Sequence, residues 1–105
     1  MPNKLNNMEY LLKEIYDSIS NVETKRYDEN LSKIEKTQLE LTLIKLRDME
    51  RAVINKKNDE ILLGLSAITP TLNELINEME SSSEKLNELN VKLKRLVNII
   101  NFLKF

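Results

Sequence analysis

Apolar residues recur along this chain in steps of three and four, with polar residues filling the gaps. The longest ladder runs Ile61, Leu65, Ile68, Leu72, Leu75, Met79, Ser82, Leu86, Leu89, Leu93, Leu96, Ile100 and Leu103, and Ser82 is its one polar rung. Such spacing puts every rung on one stripe of a helix, a seam that another helix must cover. An earlier ladder of Leu5, Met8, Leu12, Ile15, Ile19 and Val22, widened by Leu11, predicts a first helix over about residues 4–20. Asn3 can cap its start, and Tyr10 and Tyr16 flank its stripe.

Residues 21–30 lose the apolar period and read as a connection, although Ser20 followed by Glu23 fits a capping box that would carry helix onward. A second helix is expected over about 28–56, with Leu31, Ile34, Leu39, Leu41, Leu46, Met49, Ala52 and Val53 on one broad face. Leu43, Ile44 and Ile54 fall off that face. The polar run Asn55-Lys56-Lys57-Asn58-Asp59-Glu60 suits a short turn between helices. A third, short helix over 59–68 holds Gly64, whose simplest use is the close approach of a neighbouring helix.

Thr69-Pro70-Thr71 is the strongest punctuation in the sequence. Proline has no N–H to give to the preceding turn and fits best where a helix begins. The last helix is therefore expected over 70–104, with Thr69 or Thr71 as its cap. Ser81-Ser82-Ser83 interrupts it in composition, and Ser81 with Glu84 matches another capping box. Three serines cost only roughly 1.5 kcal/mol relative to alanine in a helix. No Gly, Pro or Asn makes a turn there and the apolar phase runs on unbroken, so a continuous helix is the expectation. Such a helix, about 51 Å long against about 40 Å for the second, would leave its far end uncovered and require a dimer or a partner. A break at 81–83 would give a compact four-helix bundle instead.

Composition agrees with helices throughout. One Gly and two Pro in 105 residues are too few for the turns of a sandwich or barrel. The predicted fold is all-α: a single domain, an antiparallel bundle of three to four helices with a long, heptad-patterned C-terminal helix. Net charge is −1, which gives no global field toward nucleic acid or an anionic membrane. The first seven residues lack the apolar run of a signal peptide, and no stretch is long and apolar enough to span a bilayer. Cytoplasm is the expected location. Heavy use of Asn, Lys and Ile fits an AT-rich genome such as that of a low-GC bacterium or its phages.

Chemistry enters mainly by exclusion. Without His or Cys there are no thiolate or imidazole metal ligands, no thiol nucleophile and no disulfide, and a single Gly cannot build a phosphate loop. No catalytic, cofactor or metal residues are assigned and no enzyme activity is expected. The acidic series Glu74, Glu78, Glu80, Glu84 and Glu88 reads as a solvated face.

The expected function is a non-catalytic protein-interaction module, a small adaptor, chaperone-like or regulatory protein. It would bury Leu86, Leu89, Leu93, Leu96, Ile100 and Leu103 against a second copy or a helical partner. Two alternatives differ in kind. Lys92, Lys94 and Arg95 could contact phosphates in a nucleic-acid-binding regulator. The apolar end with Phe102 and Phe105 could lie on a membrane in an immunity-type protein.

Overall fold

The computed structural model describes residues 4–55, 58–82 and 84–103. Asn3, Lys56, Lys57, Ser83, Lys104 and Phe105, and with them the expected cap of the first helix and parts of two linkers, lie outside the described residues. Four α-helices account for most of the rest: α1 (Lys4–Lys25), α2 (Lys33–Asn55), α3 (Asn58–Ser82) and α4 (Asn87–Leu103). Each packs against two others in a ring, α1 on α2, α2 on α3, α3 on α4 and α4 on α1. Helices of these lengths are about 26–38 Å long and about 10–12 Å thick. The molecule measures 42 × 24 × 21 Å, so it is one helix long and two by two across.

The core is built from the predicted ladders. Leu11, Ile15, Ile19 and Val22 come from α1, and Ile61, Leu65, Leu72, Leu75 and Met79 from α3. Leu86, just before α4, joins Leu89, Leu93, Leu96 and Ile100 to complete it.

The boundaries differ from the sequence expectation in four places. α1 runs on to Lys25, with the Arg26 amide still donating to the Val22 carbonyl at 2.9 Å, so most of the expected connection is helical. α2 begins at Lys33 rather than 28, behind a reciprocal capping box at Ser32 and Glu35. The Glu35 amide donates to Ser32 Oγ at 3.1 Å and the Ser32 amide to Glu35 Oε1 at 2.7 Å. Two otherwise orphaned donors are thereby satisfied, and the helix is fixed in phase from its first residue.

Pro70 does not start a helix; it lies inside α3. Its ring is exposed, while Leu65 and Thr69 before it and Leu72, Leu75 and Ile76 after it are buried in the same helical phase. Proline costs about 3 kcal/mol in a helix interior. Each buried aliphatic side chain returns roughly 1.5–3 kcal/mol, so core burial on both sides outweighs the break. Thr69 Oγ1 donates to the Leu65 carbonyl at 2.6 Å, which satisfies a buried hydroxyl one turn away.

The expected continuous last helix is broken. α3 ends at Ser82 and α4 starts at Asn87, with a turn in which the Asn87 amide reaches the Glu84 carbonyl at 3.3 Å. Ser81 does not cap: its hydroxyl turns back onto the Asn77 and Glu78 carbonyls of its own helix. Folding back lets α4 lay its stripe on α1 and α3 rather than in water. At the same end Lys85 Nζ donates to the Asn30 carbonyl at 2.6 Å, joining the α3–α4 turn to the α1–α2 link.

Gly64 meets its expectation of close approach, since a Cβ placed there would lie 3.2 Å from the Ala52 Cβ on α2.

Two substitutions test these assignments. Ser32→Ala should lower unfolding free energy by about 1 kcal/mol in a chemical melt, as loss of an N-cap does. Pro70→Ala should raise it, by roughly 1–2 kcal/mol once the freer unfolded chain is counted. An unchanged or lower midpoint for Pro70→Ala would mean that the proline is not strained within α3.

Candidate interaction surface

The six residues expected to meet another chain are mostly taken up by this one. Leu86, Leu93, Leu96 and Ile100 are fully buried, Leu89 almost so, and Leu103 packs partly against the same core. The seam is covered by α1 and α3 of the same chain. It offers no open face in this arrangement.

The three candidate phosphate contacts are also largely engaged. Lys94 forms an ion pair with Glu80 of α3. Arg95 donates to the Tyr10 hydroxyl of α1 at 3.1 Å and stands 3.9 Å from the Glu14 carboxylate. That hydrogen bond, with the charges of Tyr10 and Glu14, pushes the Arg95 guanidinium further up from an already high value. Lys92 is half-buried on the same helix. Two of the three cations thus tie α4 to its neighbours, and no basic track is left along it. Exposed pairs of this kind contribute little to stability.

The unexpected surface is on α2. With Ser32 and Glu35 setting its phase, the inward face is Glu35, Gln38, Leu39, Thr42, Leu43, Leu46, Met49 and Ala52. Leu43, expected off the face, is buried, whereas Ile34 and Leu41, expected on it, are 68% and 45% exposed. Ile44 is 52% exposed beside them. Thr42 remains satisfied inside, its hydroxyl donating to the Gln38 carbonyl at 2.7 Å and lying 3.8 Å from the Met79 sulfur.

Ile34 and Leu41 face the seam between α2 and α3. Together with Lys33, Thr37, Gln38 and Glu78 they line an open groove of about 400 Å³. Thr37 turns its hydroxyl onto the Lys33 carbonyl at 3.0 Å, so it presents its methyl group more than its oxygen. The groove is apolar along its floor, with one cation and one carboxylate at its edges.

A smaller hollow of about 270 Å³ lies on α1 between Glu9, Leu12, Lys13, Tyr16 and Asp17. There partial burial, the Glu50 charge and a hydrogen bond to its carboxylate raise the Tyr16 hydroxyl above its ordinary value.

Among the described residues no cluster of three or more His, Cys, Asp or Glu could hold a metal ion. Nor is any helix among them long and apolar enough to cross a membrane. Comparison with protein-family models, with characterised proteins and with solved structures finds no match.

The placement of the seam is directly testable. Leu93→Asp puts an uncompensated carboxylate at a fully buried position. The expected outcome is loss of the cooperative thermal transition seen by circular dichroism, rather than dissociation of a folded oligomer into folded monomers. A folded Leu93→Asp monomer with wild-type helicity would show that this residue faces outward.

Proposed function

We propose that this chain is a non-catalytic interaction protein of the cytoplasm, a small adaptor, chaperone-like or regulatory module. Its antiparallel bundle keeps a heptad seam inside and meets a helical protein partner on the outer flank of α2. The observation that carries the reading is the exposure of Ile34 and Leu41 over the α2–α3 groove.

The antiparallel reading is supported by cross-helix pairs that run in opposite sequence order. Arg26, just past α1, pairs with Glu40 of α2 at 2.6 Å, and Glu23 of α1 with Arg47 of α2 at 2.7 Å. Thr42 meets Met79 while Ala52 meets Gly64 between α2 and α3. The heptad reading is supported by burial of Leu86, Leu89, Leu93, Leu96 and Ile100, alternating steps of three and four.

An exposed aliphatic pair two helical turns apart, beside a groove, matches the apolar stripe of an amphipathic helix laid along it. Lys33 at the rim would favour a partner helix bearing an acid on the flank of that stripe. Each aliphatic anchor contributes at most roughly 1.5–3 kcal/mol, and both are already partly covered. Association itself costs about 4–15 kcal/mol, so the surface suits a transient contact rather than an obligate one.

The test is site-specific crosslinking in cells with a photoreactive residue in place of Thr37, and a control in place of exposed Asn98 on α4. Thr37 should capture a discrete protein that Asn98 does not, and Ile34→Lys with Leu41→Lys should abolish capture without lowering the melting temperature. Identical captures from both positions, or capture that survives the double substitution, would dismiss the groove as the partner site.

A further inference from the structure

Residues 84–86, in the turn between α3 and α4, contain no Gly, Pro or Asn, and no described non-glycine residue in the chain has a positive φ. The position before Asn87 is Leu86, which has no acceptor with which to cap α4, in contrast to Ser32 before α2. One turn into α4, Asn90 is 2% exposed, and both atoms of its amide lack a hydrogen-bond partner. Docking α4 therefore carries a desolvation cost that is regained when the helix leaves. Lys85 tethers this turn to the α1–α2 link through its bond to the Asn30 carbonyl.

The apolar phase, meanwhile, ignores the break. Leu72, Leu75 and Met79 on α3 and Leu86, Leu89, Leu93, Leu96 and Ile100 beyond it fall on one stripe if the chain is straightened. Straightening would produce a single helix from 58 to 103, about 69 Å long. Its far half would project beyond its own bundle, with its core residues uncovered. The surface shaped to cover them is the α1–α3 trough of an identical chain whose own α4 has also left.

We infer that this protein exchanges α4 with a second copy of itself: the turn at 84–86 becomes helix, and each α4 fills the place vacated in the other chain. The same core residues and the same Lys94–Glu80 and Arg95–Tyr10 contacts form in both states, within one chain or between two. The balance is then set by concentration, by the helix preference of the link and by the Lys85 tether. This exchange does not involve the α2 groove, and it stands or falls separately from the partner proposed for it.

The ion pair supplies its own reporter. Carbodiimide activation of the Glu80 carboxylate, followed by attack of the Lys94 amine, forms an amide with release of the urea. Full-length chains in light and heavy nitrogen are mixed, unfolded, refolded at high concentration and separated by size before coupling. The dimer fraction should contain Glu80–Lys94 peptides with one light and one heavy half, and the monomer fraction should not. Replacing Glu84 and Lys85 with alanine should raise the dimerisation constant at least about tenfold over replacing both with glycine. The tether is lost in both variants, so only the helix preference of the link differs between them. A wild-type chain and an alanine variant that stay monomeric up to the solubility limit would overturn the inference. So would equal constants for the two variants. A dimer whose Glu80–Lys94 links are all within one isotope would also overturn it, and would point to association through an outer face. The coupling needs no substitution, so it remains decisive even if a link variant folds poorly.

Discussion

Everything in this fold answers to the need to cover the apolar stripe that runs from Leu86 to Ile100. Four large aliphatic side chains on one side of a 17-residue helix, with Leu86 just before it, represent roughly 7–15 kcal/mol of burial, more than any local preference in the chain can oppose. An uninterrupted helix would leave that stripe in water. The chain therefore turns through Glu84, Lys85 and Leu86, none of them a turn residue, accepts a leucine where a capping side chain belongs, and buries Asn90 without partners. The compromises collect at one place because the gain is delivered just beyond it.

The same dominance of burial over local signals explains what could be read from the sequence. Helical content and the stripes of α1, α3 and α4 were legible, because their apolar residues form one period each. Pro70 misled because proline is a local signal, and the stripes on either side of it share a phase. The fold-back at 81–86 could not be decided locally either, since serine, glutamate and lysine are compatible with both helix and turn. The capping box that does form, at Ser32 and Glu35, has the same pattern as those at Ser20 and Ser81. Four-residue patterns recur by chance in a chain rich in Ser, Thr and Glu; only tertiary context selects among them.

The surface on α2 was hidden for a related reason. This helix carries two apolar stripes, one through Leu39, Leu43 and Leu46 and one through Ile34 and Leu41, and counting apolar residues on a helical projection merges them. The true inward face includes Glu35, Gln38 and Thr42, whose polarity argues against burial until their hydrogen bonds are known. The interface expected on the last helix coincides with the stripe that the chain buries within itself. In a chain that covers that stripe itself, the informative residues are the apolar ones left over.

Gly64 against Ala52 has a consequence for that leftover surface. At 3.2 Å from a would-be Cβ, the two helices touch almost backbone to backbone near one end of their shared length. The groove beside Ile34 and Glu78 opens toward the other end, about 21 Å away along α3. Thr42 against the Met79 sulfur closes the pair again toward that other end. A side chain added at position 64 would wedge α2 away from α3, and so alter the opening above Leu41 from a position that never touches it.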